Sequence, residues 1–344
     1  LNHKQKLTTI LRYLLSALCI LFLFFGNAFA QNSFLDKIKG TLRMEINKVT
    51  PVKGKILFIS DRIEEGKDSS RKLYLLNQGK LKRLRENVIS ARWSPDGEYI
   101  VCKTVIPYSN YKTITILDKE GSFVREILKT KDTLSYPAFS LDGNKIVFAS
   151  NMGMHVDLVE SLFLINRDGT GLKRILDDSH AGHTLYIGPS PFTPEGQNLI
   201  FGWVKGMSLI GKKLHIYSIA NGDDPQIIQL TNGVSGEQYP TLSPDGCFIA
   251  FLTFNSGDKF NQIYVQEVKS GKIMRVTESN FPKGAMCWSP DGKQICYTGF
   301  RQGLPFAYSE LFVINVDGSD ESLVLPATNV GKVWSTDSYP DWTE

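Results

Sequence analysis

Few residues in this chain are suited to chemistry. "SHAGH" (179–183) sets His180 and His183 three apart, beside Asp177 and Asp178. Two imidazoles and a carboxylate at that spacing can contribute to a transition-metal site; the same stretch also reads as a solvated loop. His155 and His215 lie apart from it and complete no ligand pattern. Asp96, Asp142, Asp245 and Asp291 recur at one place in a repeated turn, where an aspartate bonds its own backbone rather than a substrate. There is no G-x-S-x-G elbow, no H-E-x-x-H, no phosphate-cradling glycine loop and no G-x-G-x-x-G after a strand. No catalytic residue, no cofactor and no bound metal are therefore expected.

A second group suits recognition. Tyr108, Tyr111, Met154, His183, Met207, Phe281, Phe306, Tyr308 and Trp334 fall in or beside irregular stretches between apolar runs. Exposed together they would form a partner-binding patch; folded down they would cover the core. Three Tyr-Pro pairs place Tyr136, Tyr239 and Tyr339 just ahead of apolar segments. They either line the mouth of a channel or fill space between sheets, with proline stiffening the strand entry.

The elements that must position these residues repeat. "WSPDGEYIVC" (93–102), "FSLDGNKIVF" (139–148), "FTPEGQNLIF" (192–201), "LSPDGCFIAF" (242–251) and "WSPDGKQICY" (288–297) share one pattern about fifty residues apart. Ser-Pro-Asp-Gly is a tight turn: proline pre-sets φ, aspartate suits the next position, and glycine takes the left-handed one. Between apolar runs it makes a hairpin of strands A and B. Each unit continues with a second hairpin, C–D, as in "SLFLIN" (161–166) followed by Gly169 and "LKRIL" (172–176). There are six C–D hairpins but five complete A–B hairpins. The missing B strand is "KGKILFIS" (53–60), and the missing A strand is "DSYPDWTE" (337–344). Joined, the two ends make the sixth unit. The expected fold is all-β: a six-bladed β-propeller of four-stranded blades, closed by pairing 53–60 with 337–344. Trp93, Trp288 and Trp342 then fall between blades.

The first thirty residues differ. Lys4, Lys6 and Arg12 precede "LLSALCILFLFF" (14–25) and an Ala28-Phe29-Ala30 site, the pattern of a signal peptide cut after Ala30. Removing those three basic residues from 39 leaves 36, against 35 acidic ones, so the basic pI implies no nucleic-acid partner. No stable membrane span is expected after cleavage. Residues 31–52 form a linker, with a short helix over 33–46 started by Ser33, and 53–344 form the propeller. Of the remaining cysteines, Cys102, Cys247, Cys287 and Cys296, the spacing fits no zinc pattern. Cys287 and Cys296 lie on paired strands, on opposite faces by the expected register, and small buried thiols are expected.

The WSPDG repeat, with Tyr-Pro ahead of the aromatic in three copies, resembles that of TolB-type propellers. Related propellers precede prolyl-oligopeptidase-type and tricorn proteases. The resemblance covers residues 53–344. It implies a periplasmic or secreted setting; with the missing catalytic motifs, the expected role is a monomeric, non-enzymatic scaffold that binds a protein or peptide of the cell envelope through the face carrying the longer B–C and D–A connections. TolB carries a separate α/β domain before its propeller, for which 31–52 is too short. Some related propellers are oligogalacturonate lyases with a histidine-rich manganese centre in the channel. A carbohydrate-active enzyme of that kind is the alternative, although the histidines here do not match that pattern residue by residue.

Overall fold

The computed structural model describes residues 52–61, 71–153, 159–176, 182–205, 215–220, 227–231, 236–254, 257–302, 307–325, 329–330, 333–334 and 337–344. Among them the regular structure is all strand, in six antiparallel four-stranded blades forming a ring. Blade 1 is Asp337–Thr343, Lys55–Ser60, Lys72–Asn77 and Lys80–Glu86. Blade 2 is Val88–Trp93, Tyr99–Val105, Lys112–Asp118 and Phe123–Thr130. Blade 3 is Ser135–Phe139, Lys145–Ser150, Val159–Asn166 and Lys173–Arg174. Blade 4 is Gly182–Tyr186, Asn198–Lys205, His215–Ala220 and Ile227–Gln229. Blade 5 is Gln238–Leu242, Phe248–Thr253, Gln262–Glu267 and Ile273–Arg275. Blade 6 is Lys283–Trp288, Gln294–Gln302, Ala307–Asn315 and Ser322–Leu325.

The middle strands read as unbroken apolar runs, such as "ILFI" (56–59), because both faces of each blade are covered. Alternate residues of one strand serve opposite neighbours. Ile56 and Phe58 pack with Leu311 and Val313 of blade 6, whereas Leu57 and Ile59 pack with Trp93 and Ile100 of blade 2. The same arrangement gives six inter-blade cores. Trp93, Trp288 and Trp342 each sit in one of them, against the preceding blade.

The ring closes as the repeat requires. Ile56 pairs with Trp342 and Ser60 with Asp337. The Trp342 indole N–H donates to the Lys53 carbonyl at 2.7 Å. Gly54 sits at φ +84°, and an added Cβ would lie 2.3 Å from the Thr343 carbonyl oxygen, so only glycine fits this seam.

The repeat aspartates are turn residues. Ser94 Oγ accepts the Tyr99 N–H at 2.8 Å and donates to Asp96 Oδ1, which also accepts the Glu98 N–H at 3.0 Å. Asp142, Asp245 and Asp291 repeat these bonds with Ser140, Ser243 and Ser289. The serine hydroxyl and the backbone N–H hold all four carboxyls below the usual carboxylate range.

Three local expectations are corrected. Cys287 and Cys296 are directly opposed across the hairpin, not on opposite faces. The Pro-Asp-Gly turn pairs Trp288 with Ile295, and that register brings the next two residues together in one inter-blade core. Both are free thiols, and burial pushes the Cys287 thiol well up. Secondly, the stretch 177–190, read as a connection, contains the inner strand of blade 4, Gly182–Tyr186, while Phe192 makes only an isolated bridge to Leu199. Thirdly, Tyr308 is not in a loop. Strands Gln294–Gln302 and Ala307–Asn315 extend the blade 6 hairpin, and Tyr308 pairs with Arg301 and is 1% exposed. The helix expected over 33–46 lies outside the described residues.

Candidate interaction site

The two faces of the ring differ in construction. Among the described residues, A–B and C–D turns are short and uniform on one face, the tight-turn face. The described B–C and D–A connections lie on the other, the long-loop face. Rigid sheets thus present variable connections, the usual arrangement for recognition.

At the axis the inner strands bring four tyrosines together. Tyr136 of blade 3 lies 5.5 Å from Tyr339 of blade 1 and 6.4 Å from Tyr186 of blade 4, measured between ring centroids. Tyr186 lies 4.9 Å from Tyr239 of blade 5. The Tyr136 and Tyr339 hydroxyls are 3.4 Å apart. The three Tyr-Pro pairs account for the convergence. Tyr136, Tyr239 and Tyr339 have φ of +48°, +53° and +53°, and the strand register shifts at each pair. A left-handed residue followed by a proline, which has no N–H to give the ladder, makes a bulge that re-aims the side chain. A bulky residue at positive φ costs about 1–2 kcal/mol, which the ring contacts offset. At the matching places of blades 2 and 6 stand Ser90 and Ala285, both buried and small, which leaves room for the rings.

The cluster is desolvated. Burial pushes the Tyr136, Tyr186 and Tyr239 hydroxyls above the usual phenol range. Glu160 sits beside it, accepting from Ser135 Oγ at 3.1 Å, Thr133 Oγ1 at 3.3 Å and the Leu185 N–H at 3.4 Å. Further along the inner strands, Arg92 donates to the Tyr339 carbonyl at 3.4 Å. Asp341 accepts the Trp93 N–H at 2.6 Å. Burial raises the Asp341 carboxyl to about 6, with Arg92 pulling the other way.

The tyrosines expected at the channel mouth are thus brought together, and Tyr186 joins them. No proline follows Tyr186, so the motif that marks the other three is missing. The available signal was the run "HTLYI" (183–187) ahead of the turn of its unit.

The expected contact residues scatter. Tyr108 is fully exposed at the tip of the blade 2 B–C connection, and Tyr111 lies at the edge of the same connection. Phe281 is half-buried, 5.2 Å from Phe312, with the Lys283 ammonium 4.7 Å and the Arg301 guanidinium 4.8 Å from its centroid. Tyr308 is buried. His183 lies in the inner strand of blade 4, its backbone paired with Val159 and Val204. Trp334 lies in a short hairpin, Asn329–Val330 with Val333–Trp334. Met154, Met207, Phe306, His155 and His180 lie outside the described residues. Among the described residues no three His, Cys, Asp or Glu side chains group as metal ligands, and no helix is long and apolar enough to cross a membrane.

Fold and repeat together define the class: a TolB-like six-bladed propeller. No protein-family model matches the chain. The Tol-Pal system protein TolB of Francisella tularensis subsp. mediasiatica is 25% identical over 257 residues, covering 59% of this chain and 56% of that one. The chain thus spans just over half the length of the curated relatives it matches. The crystal structure of TolB from Acinetobacter baumannii aligns with a TM-score of 0.65 at 21% identity, over 84% of this chain and 66% of that chain. An oligogalacturonate lyase in complex with manganese aligns with a TM-score of 0.50 at 14% identity, over 74% and 70% of the two chains, a likeness of fold alone.

Proposed function

We propose that this chain is an exported, cell-envelope scaffold that binds a protein or peptide through its long-loop face, without catalysis. One observation carries this reading: a TolB-like ring whose inner strands hold a cluster of tyrosines and whose described irregular connections lie on one face. The signal pattern of residues 1–30 supports export, and the likeness to Tol-Pal system proteins supports a periplasmic setting. Binding would use a preformed surface with little backbone change. Tyr108, Tyr111 and Trp334 are the proposed contacts, with Phe281 and His183 as further candidates; Tyr308 acts only as core.

The test is a crosslinking pull-down from envelope extracts with purified protein as bait. Tyr111→Ala combined with Trp334→Ala should lose a discrete captured protein. Lys293→Ala, on the tight-turn face, should keep it. Equal capture by both baits, or none by the wild type, overturns the proposal.

A further inference from the structure

Charge is segregated along blade 2. Its long-loop end, residues 103–113 and 128–134, carries Lys103, Lys112, Lys129 and Lys131 against one acid, Asp132. Its tight-turn end, residues 94–99 and 118–126, carries Asp96, Glu98, Asp118, Glu120 and Glu126 against Lys119 and Arg125. Cations at the tight-turn end are paired: Lys119 with Glu98 at 2.9 Å, and Lys82 of blade 1 with Glu120. At the other end, Lys112, Lys129 and Lys131 make no ion pair among the described residues. Lys112 donates to the Lys131 carbonyl at 2.9 Å. The Lys129 and Lys131 ammoniums lie 5.0 and 5.2 Å from the Tyr111 ring centroid. Lys103 is held below the usual lysine range by burial and by the charges of Lys112 and Arg71, with Glu160 acting against them.

The tip is built to stand out. Tyr108 is fully exposed at φ +58°. It is held there by a turn in which the Ser109 N–H and Oγ both donate to the Ile106 carbonyl, at 3.2 and 2.9 Å. The Tyr111 N–H donates to Ser109 Oγ at 3.2 Å, and the Ile106 N–H donates to the Tyr111 carbonyl at 3.2 Å. A solvent-facing aromatic kept in a costly backbone conformation has no packing to explain it.

We infer that the long-loop end of blade 2 is a docking surface for an acidic peptide segment of a partner protein, with Lys112, Lys129 and Lys131 meeting its carboxylates and Tyr108 packing beside its backbone. This rests on the binding role proposed above and names the partner's chemistry. Uncompensated like charges at one end of a blade favour an anionic partner, and an exposed tyrosine supplies rigid contact area at low entropic cost. A peptide fits better than a nucleic acid because the Tyr111 ring, the natural stacking platform, is already occupied by two ammoniums.

The test uses purified protein and three probes: a fluorescent ten-residue Glu-rich peptide, vesicles of phosphatidylcholine with phosphatidylglycerol, and an oligothymidylate. The peptide should bind, and binding should weaken as salt rises. Lys129→Glu with Lys131→Glu should weaken it about tenfold or more, and Tyr108→Ala a few fold. Circular dichroism should show both variants folded, since the changes are on the surface. No peptide binding, binding that ignores the charge reversal, or a preference for vesicles or oligonucleotide overturns the inference. If envelope capture still needs Tyr111 and Trp334 while the peptide fails, only this inference falls. If the peptide binds but no envelope protein is captured, the scaffold reading falls instead.

Discussion

Tyrosine plays opposite parts at the axis and at the rim of blade 2. Tyr136, Tyr239 and Tyr339 sit at positive φ and so does Tyr108. At the axis the strained backbone aims rings at one another, and burial suppresses ionisation of the Tyr136 and Tyr239 hydroxyls. At the rim the same strain holds a ring in water. The backbone conformation is shared; the neighbours decide whether the residue is structural or available. The inner strands of six blades must converge, so bulky side chains there partly cover one another. The B–C connection of blade 2 has no such neighbours and leaves Tyr108 free.

The contrast can be broken most severely at the seam. Tyr339 is carried by the closing strand, which Trp342 anchors between blades 6 and 1. Trp342→Ala should cost about 3–5 kcal/mol, as for truncation of a buried aromatic. Urea unfolding should show that loss, and Tyr108 should keep its solvent accessibility in the remaining folded fraction. An unchanged midpoint would mean that the terminal strand does not hold the ring.

A pH series sharpens the comparison next. The folded carboxyl of Asp341 titrates near 6, above its unfolded value. Its contribution to stability is therefore fully present below the unfolded pKa and is lost as pH rises through about 6. The difference between wild type and Asp341→Asn should shift by up to about 3 kcal/mol between pH 4 and pH 7, with the Asn variant relatively more stable at the higher pH. The turn aspartates, whose carboxyls are held low, act in the opposite direction, but they do so in both proteins. A constant difference across pH would place Asp341 in water.

Within the cluster, Tyr136→Ala should cost about 2 kcal/mol, less than a fully buried ring because Tyr136 is partly exposed. It should also change the near-ultraviolet circular dichroism. At the rim, Tyr108→Asn should leave stability within about 0.5 kcal/mol or raise it slightly, since asparagine tolerates left-handed backbone. A large loss from Tyr108→Asn would show that the exposed ring has a structural partner.

Much of the frame was legible before any coordinates. Five Pro-Asp-Gly-type turns, six second hairpins and two complementary half-units imply closure, because turn chemistry and apolar runs are local properties. Trp93, Trp288 and Trp342 were legible as inter-blade residues for the same reason. The candidate site was only partly so. Tyr136, Tyr239 and Tyr339 stood out by their prolines, while Tyr186 had no such mark. Tyr308 looked like a loop residue because nothing local shows that a hairpin runs past its repeat.

From the sequence alone follow the number of blades, the turns and the way the ends complete each other, since each depends on residues a few positions apart. Only the tertiary structure decided which tyrosines meet, that Cys287 faces Cys296, and that two lysines at the end of the outer strand of blade 2 share an aromatic ring from its B–C connection. Those outcomes depend on strand register and on convergence toward an axis, and both are set by packing between residues up to hundreds of positions apart in the chain.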